Sequence, residues 1–134
     1  MTIKQISVFI ENKTGQLSEF ISLLADNNID LQALSMAEAQ DYGVLRIVVD
    51  KPEETAELLR ANEWPCSVTD VLAVMVPDKP GSLTKILSVI AENNIGLAYS
   101  YAFLSKTQGH ACVVLRVDDN DGVQKILENA GVID

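Results

Sequence analysis

The chain has 134 residues and carries 10 Lys and Arg against 19 Asp and Glu, a formal net charge of −9. Apolar residues make up 48% and charged residues 22%, a composition that fits a soluble globular chain and excludes disorder or a collagen-like repeat. Because an acidic surface repels phosphate backbones and anionic lipids, we expect neither a nucleic-acid partner nor a membrane partner.

The lack of a recognisable targeting signal and the two cysteines in apolar runs predict a cytoplasmic protein. No apolar run approaches the ~18 residues of a membrane span, and no signal peptide is visible at the N-terminus. Cys66 and Cys112 each lie in an apolar, strand-like run, so we expect buried thiols. His110 has no recognisable orienting acid or nucleophile and is interpreted as a surface strand residue. The sequence therefore predicts no catalytic residue, metal or cofactor.

The first half of the chain reads as strand, helix, strand, strand, helix, strand. An alternating strand ends at the turn ENKTG, and a helix with apolar residues at helical spacing follows. Asn27-Asn28 ends this helix, because Asn tolerates left-handed backbone there. Two strands follow, predicted at 29–38 and 44–49. A helix then opens at Pro52, and a short fourth strand is expected at 66–70, running into the first strand of the second half.

The second half repeats this order at a shift of 66 residues. Between 6–31 and 72–97, ten of the 26 aligned pairs are identical, and the shift becomes 68 after an insertion near Ser105–Gln108. We infer a duplication that gives two units, 1–70 and 71–134. Since a unit of this size buries only about 60% of its unfolded surface, the two units are expected to share an interface.

The second unit ends early. At the shift of 68, residues 132–134 align with 64–66, so the chain stops where the last strand of this unit would begin. An open sheet edge is a template for pairing. We therefore predict a homodimer or edge pairing between the units.

An acidic run precedes the last predicted helix. If Gly122 stood at position six of a calcium loop, Val117 would stand at position one, where an acid is needed. The carboxylates of Asp118–Asp121 suit a helix N-terminus instead, so we predict helix capping.

Two short motifs recur at matching positions of both units. The first unit has KTGQL opening its first helix and NNI opening its second strand, and the second unit has KPGSL and NNI at the same places. Together with the element order, over nearly the whole chain, they resemble the ACT domain, a small ligand-sensing module of amino-acid metabolism. The resemblance implies an α+β fold of two ferredoxin-like βαββαβ units in tandem. Their antiparallel sheets would carry helices on one face, and the second unit would lack most of its last strand.

The turn before the first helix of each unit is a candidate ligand site. Gly15 and Gly81 allow close backbone approach, and the helix start offers unpaired N–H groups and a positive dipole end. An amino acid's α-carboxylate fits these groups, and Lys13 and Lys79 add charge. Candidate acceptors for its α-ammonium are Asn12, Asp30, Asp78 and the backbone carbonyls near Ile29 and Ile95.

The ACT resemblance implies that the ligand lies between this turn and the start of the second strand, at an interface of two units. The matching residues of the first unit are Asn12, Lys13, Gly15, Gln16, Leu17, Asn28, Ile29 and Asp30. Those of the second unit are Asp78, Lys79, Gly81, Ser82, Leu83, Asn94, Ile95 and Gly96. Such turns are also common scaffolds, so a purely structural role stays open. Thr14 replaces the family's usual Pro, which puts two equivalent sites in doubt.

The expected function is regulatory and non-catalytic: binding an amino acid at the turns and the unit interface, with an allosteric effect on an enzyme partner. The alternative is an interaction module similar to a regulatory subunit of an amino-acid biosynthetic enzyme, such as acetolactate synthase, with or without ligand. An enzyme is disfavoured because HExxH, GxSxG and GxxxxGK[ST] are absent.

Overall fold

The computed structural model describes residues 1–38 and 41–134, apart from the side chain of Leu104. Its elements are β1 Thr2–Glu11, α1 Gln16–Asp26, β2 Leu31–Glu38, β3 Tyr42–Val49, α2 Pro52–Ala61, β4 Cys66–Pro77, α3 Ser82–Glu92, β5 Tyr99–Leu104, β6 His110–Arg116 and α4 Asn120–Asn129. The chain divides into two compact units, which we call the N-terminal unit (Lys4–Thr69) and the C-terminal unit (Asp70–Asp134 with Met1–Ile3). The predicted α+β class and element order are confirmed.

The N-terminal unit is built on antiparallel pairs in the order β2-β3-β1, and it also contains the first four residues of β4. Alternate residues of β1, such as Ile6 and Val8, lie opposite Ile47 and Leu45 and are fully buried. This alternation places one face of the sheet in the core, where Phe20 of α1 packs.

The C-terminal unit repeats this arrangement with antiparallel pairs in the order β4-β6-β5. Leu72 lies opposite Leu115, and both are fully buried. Ile86 of α3 and Leu127 of α4 are also fully buried and belong to the same apolar cluster. Each unit therefore has its own core between sheet and helices.

The first helix of each unit ends at the predicted Asn pair. Asn28 and Asn94 adopt left-handed backbone, with φ of 57° and 55°. The N–H of Ile29 donates to the carbonyl of Leu24 at 3.0 Å, and the corresponding bond in the C-terminal unit is 3.1 Å long. This bond satisfies a carbonyl that the helix end leaves unpaired, so the predicted role of both Asn pairs is confirmed.

Within the described residues, no strand follows α4, as the early end of the repeat predicted. Residues near both chain termini instead bond to the edge of β4. The N–H of Ala73 donates to the carbonyl of Met1 at 2.7 Å, and the Met1 ammonium donates to the Ala73 carbonyl at 3.0 Å. The N–H of Asp134 donates to the carbonyl of Met75 at 3.0 Å. These bonds lie within the C-terminal unit and satisfy part of the edge that a fourth strand would cover.

Two local expectations have different outcomes. The acidic run caps α4 as predicted, because the Asp119 carboxylate accepts a bond from the N–H of Gly122 at 3.0 Å. The second strands were predicted to start at Ile29 and, in the repeat, at Ile95, but β2 begins at Leu31 and β5 only at Tyr99. The left-handed residue that ends each preceding helix turns the chain, and regular pairing starts some residues later.

None of the described helices, of which the longest have 11 residues, has the length and hydropathy of a membrane span.

Candidate functional site

The turns before α1 and α3 have closely matching backbones. Gly15 and Gly81 are left-handed, with φ of 87° and 92°, and a Cβ on either would meet no atom within 4 Å. Glycine is therefore favoured here by backbone conformation and not by crowding. The N–H of Lys13 donates to the Glu11 carbonyl at 2.8 Å, and the equivalent bond from Lys79 is 2.9 Å long. Both turns keep this geometry, although Thr14 replaces the Pro of the second turn.

The starts of both helices carry no side-chain cap. The N–H of Gln16 donates to the carbonyl of Lys13 at 3.2 Å, and Glu19 begins the helical ladder with a bond to Gly15 at 2.9 Å. Across the described part of the chain, no backbone carbonyl pairs with the N–H groups of Leu17 and Ser18 between them. Unpaired N–H groups at a helix start attract an anion.

The two turns differ in how their lysine is placed. Lys13 forms an exposed ion pair with Glu11, with 2.6 Å between Nζ and the carboxylate oxygen. The hydrogen bond to Glu11, and then its charge, raise the pKa of Lys13. In the C-terminal unit, uncharged Pro77 stands at the position of Glu11, and Asp78 at that of Asn12. Each turn thus keeps one acidic and one basic residue in a different order.

The strand-start residues of the predicted site lie at the other end of each helix. Asn28, Ile29 and Asp30 follow the C-terminus of α1, whereas the turn precedes its N-terminus. A helix of 11 residues is about 16 Å long, so one small ligand does not contact both segments within a single unit. The same separation applies to Asn94–Gly96 and the turn before α3.

Several predicted site residues have structural roles. Leu17 and Ile29 pack against the core of the N-terminal unit, and Ile95 packs against that of the C-terminal unit. Ser82 is buried, whereas Leu83, at the position of Leu17, is 48% exposed. The remaining polar and glycine members are exposed or half-buried. They are Asn12, Lys13, Gly15, Gln16, Asn28, Asp30, Asp78, Lys79, Gly81, Asn94 and Gly96.

Clefts within each unit include members of the predicted set. One of about 240 Å³ in the N-terminal unit is lined by Gln16 together with Glu19, Trp64 and others. In the C-terminal unit, a cleft of about 320 Å³ includes Gly96. An adjoining cleft of about 250 Å³ is lined by Ile95, Gly96, Asp118, Asp119, Gly122, Val123 and Ile126.

Sequence reasoning missed Arg116, which lines the cleft of about 320 Å³ with Asp118. Arg116 is the last residue of β6, and no sequence motif marks it as a site residue. The sequence predicts Asp118 as part of a helix start. That it lies near the NNI segment could be seen only from the fold. The available signal was the repeat alignment, in which Arg116 corresponds to Val48.

Comparisons with known proteins identify the family. A family model described as an ACT domain pair matches residues 1–132. The comparison with curated proteins finds no match. A crystal structure of a protein from Bacteroides thetaiotaomicron is 35% identical, with a TM-score of 0.89, and the match covers 100% of this chain and 91% of that one.

Regulatory subunits of aspartate kinase have a similar fold. The subunit from Thermus thermophilus gives a TM-score of 0.68 at 14% identity, with 95% of this chain and 91% of that chain covered. The subunit from Thermus flavus gives 0.64 at 12% identity, with coverage of 96% and 92%. At these identities the likeness is one of fold.

Proposed function

The chain belongs to the ACT domain family and carries a pair of such domains, and from this premise we propose that it is a non-catalytic regulatory protein that binds an amino acid. Binding regulates only if the ligand favours one conformation over another. The regulated partner would be an enzyme of amino-acid metabolism. The fold shared with regulatory subunits of aspartate kinase supports a regulatory role.

The observation that carries this proposal is the pair of uncapped helix starts behind Gly15 and Gly81. Their unpaired N–H groups offer donors for an α-carboxylate, and the helix dipole adds to the attraction. Asp78 supplies an anionic partner for an α-ammonium beside the second turn. A zwitterion held in this way needs no positively charged protein, which agrees with the net charge of −9.

A thermal-shift panel of the twenty amino acids tests the proposal on the full chain. A ligand that binds only the folded state, at 100 times its dissociation constant, adds about 2.7 kcal/mol to the free energy of unfolding. For a chain of this size the expected rise in Tm is on the order of 10 °C. The matched control is the N-acetyl amide of the same amino acid, which lacks both charges and is expected to give no shift.

The second candidate function is an interaction module that acts through an enzyme partner without a ligand. It is favoured by Leu34 and Met36 on edge strand β2, which are 48% and 46% exposed. They lie opposite Ile47 and Leu45, on the sheet face that carries the core. A thermal-shift panel with no response to any amino acid favours this candidate over the first.

We also propose that the chain forms a homodimer. Leu83 and Leu87 of α3 are 48% and 38% exposed and lie one helical turn apart. Two exposed leucines at this spacing form an apolar stripe that a second copy of the chain would cover. Light scattering at micromolar protein is expected to give twice the mass of 14.6 kDa. A monomer mass at that concentration contradicts the proposal.

A further inference from the structure

The two units differ at the residues that follow the helix-ending Asn pair. In the N-terminal unit, the N–H of Asp30 donates to Oδ1 of Asp50 at 3.0 Å, and the N–H of Asp50 donates to the Asp30 carbonyl at 3.2 Å. These two bonds tie the two segments together. The corresponding residues of the C-terminal unit, Gly96 and Asp118, line an open cleft of about 320 Å³ instead.

The cleft opens because pairing between β5 and β6 stops short. At the N-terminal end of β5, the last strand pair is Tyr99 with Arg116. Beyond it, the N–H of Ala98 still donates to the Arg116 carbonyl at 3.0 Å. Gly96, two residues earlier, has no side chain to fill the gap, and a Cβ added there would meet no atom within 4 Å. The glycine therefore leaves open space beside Asp118.

The cleft carries one positive and one negative side chain. The Arg116 Nη1 donates to the carbonyl of Val117 at 2.7 Å, which positions the guanidinium and uses one of its five N–H donors. Within residues 1–38 and 41–134, no hydrogen bond or ion pair engages the Asp118 carboxylate. Two residues of extended chain span at most about 7 Å, so both charged groups reach one small ligand.

At the equivalent positions, the described part of the N-terminal unit has no such pair. Val48 stands at the position of Arg116 in the repeat and is 6% exposed. Asp50, at the position of Asp118, is already bonded to the N–H of Asp30. Of these two equivalent positions, the one in the C-terminal unit therefore has opposite charges beside an open cleft.

We propose that Arg116 and Asp118 bind a free aliphatic α-amino acid in this cleft of the C-terminal unit. Arg116 pairs with the α-carboxylate, for which a guanidinium is the best-matched side chain, and Asp118 accepts hydrogen bonds from the α-ammonium. This assignment rests on the proposed function, that the chain binds an amino acid, and it adds a binding site in the C-terminal unit that is separate from the strand-to-helix turns.

The adjoining cleft sets the expected side-chain class. Its volume is about 250 Å³, and it shares Gly96 and Asp118 with the first. The rest of its lining is Gly122, the apolar side chains of Ile95, Val123 and Ile126, and Asp119, whose carboxylate accepts the N–H of Gly122. An amino acid held by its charged groups at Asp118 directs its side chain along this apolar lining. Valine, leucine and isoleucine therefore fit better than glutamate, whose carboxylate would be desolvated there and repelled by Asp118 and Asp119.

Calorimetric titration of the full chain with L-leucine tests the assignment. Leucinamide lacks the carboxylate and 4-methylpentanoate lacks the ammonium, so each is expected to bind at least about tenfold more weakly, by loss of one charged contact. Arg116→Gln and Asp118→Asn are expected to weaken L-leucine binding by a similar factor. The matched control is Asp50→Asn in the other unit, which retains an acceptor oxygen and is expected to bind L-leucine like the wild type.

A third variant tests the cleft without removing either charged side chain, in case Arg116→Gln or Asp118→Asn fails to fold. Gly96→Leu adds a side chain where the structure has open space and where φ is not positive, so it is expected to fold and to block the ligand. If the wild type binds L-leucine and all three cleft variants bind it equally well, this assignment is wrong while the proposed function stands. If the wild type binds only charged amino acids, the assignment also fails. If it binds no amino acid, both proposals fail.

Discussion

The rings of Phe20 and Trp64 meet edge to face, with centroids 5.2 Å apart and an interplanar angle of 77°. Phe20 is fully buried in α1, and Trp64 is half-buried just before β4 and is the one tryptophan of the chain. Aromatic pairs with this geometry contribute beyond their buried area. Through this contact, the segment after α2 packs against the core of the N-terminal unit. The fluorescence of Trp64 therefore reports on the folding of that unit.

Replacing Phe20 with Ala is expected to lower the free energy of unfolding by about 3–5 kcal/mol, because it leaves a cavity in a close-packed core. Urea unfolding followed by Trp64 fluorescence measures the change. The control is Phe9→Ala, since Phe9 is 57% exposed and its loss is expected to cost far less. Equal losses in the two variants would contradict this account of the core.

The glycines of the two turns are expected to resist substitution. Gly15→Ala or Gly81→Ala places a Cβ on left-handed backbone, which costs roughly 1–2 kcal/mol of the free energy of unfolding. Gly96→Ala is the control, since its φ is not positive and the added Cβ meets open space. Thermal unfolding of the three variants side by side checks this, and a Gly96 variant as unstable as the others would overturn it.

The cap of α4 is expected to contribute measurably to stability. Asp119→Ala removes the acceptor for the N–H of Gly122 and is expected to lower the free energy of unfolding by about 1 kcal/mol. Asp118→Ala changes an exposed neighbour that makes no such bond and is expected to stay within about 0.5 kcal/mol of wild type. Urea titration distinguishes the two, and equal effects would argue against capping by Asp119.

The two cysteines are expected to react at different rates. Cys112 is 8% exposed, and burial raises the pKa of its thiol, so at a given pH less of it is the reactive thiolate. Cys66 is half-buried, with its thiol 3.8 Å from the carbonyl of Ala56. Iodoacetamide labelling of the native chain at pH 8, read by mass spectrometry, is expected to modify Cys66 first, on the order of tenfold faster.

The matching control is the same labelling in urea, where both thiols are exposed and are expected to react at similar rates. The raised pKa of the Cys112 thiol also makes the free energy of unfolding depend on pH. A thiol whose pKa is raised in the folded state stabilises the fold below its unfolded pKa, and this contribution is lost as the pH rises through the folded value. Faster native labelling of Cys112 than of Cys66 would contradict the burial argument.

Much of the fold follows from local patterns in the sequence. Alternation predicted β1, helical spacing predicted α1, and Asn28 and Asn94 ended their helices as expected. The start of β5 was misplaced by four residues, because apolar residues at Ile95 and Leu97 look strand-like while they pack into the core as irregular chain. The role of Met1 beside Ala73 depends on contacts between distant parts of the chain, which no local pattern encodes.

The candidate site was harder to predict than the fold. The motif glycines were found because two copies of the repeat show them at the same place. The proposed pair of Arg116 and Asp118 was not predicted, because it depends on a difference between the units: Gly96 leaves open the gap that Asp30 and Asp50 close in the other copy. Residue types and spacing do not show where sheet pairing stops.

Calorimetric titration of the wild-type chain with each of the twenty amino acids tests the central claim most directly. The account predicts saturable heat with at least one amino acid and none with its N-acetyl amide, because recognition depends on the two charged groups of the zwitterion. The absence of saturable heat with every amino acid at millimolar concentration would contradict it and would leave an interaction module without ligand as the better explanation of this ACT domain pair.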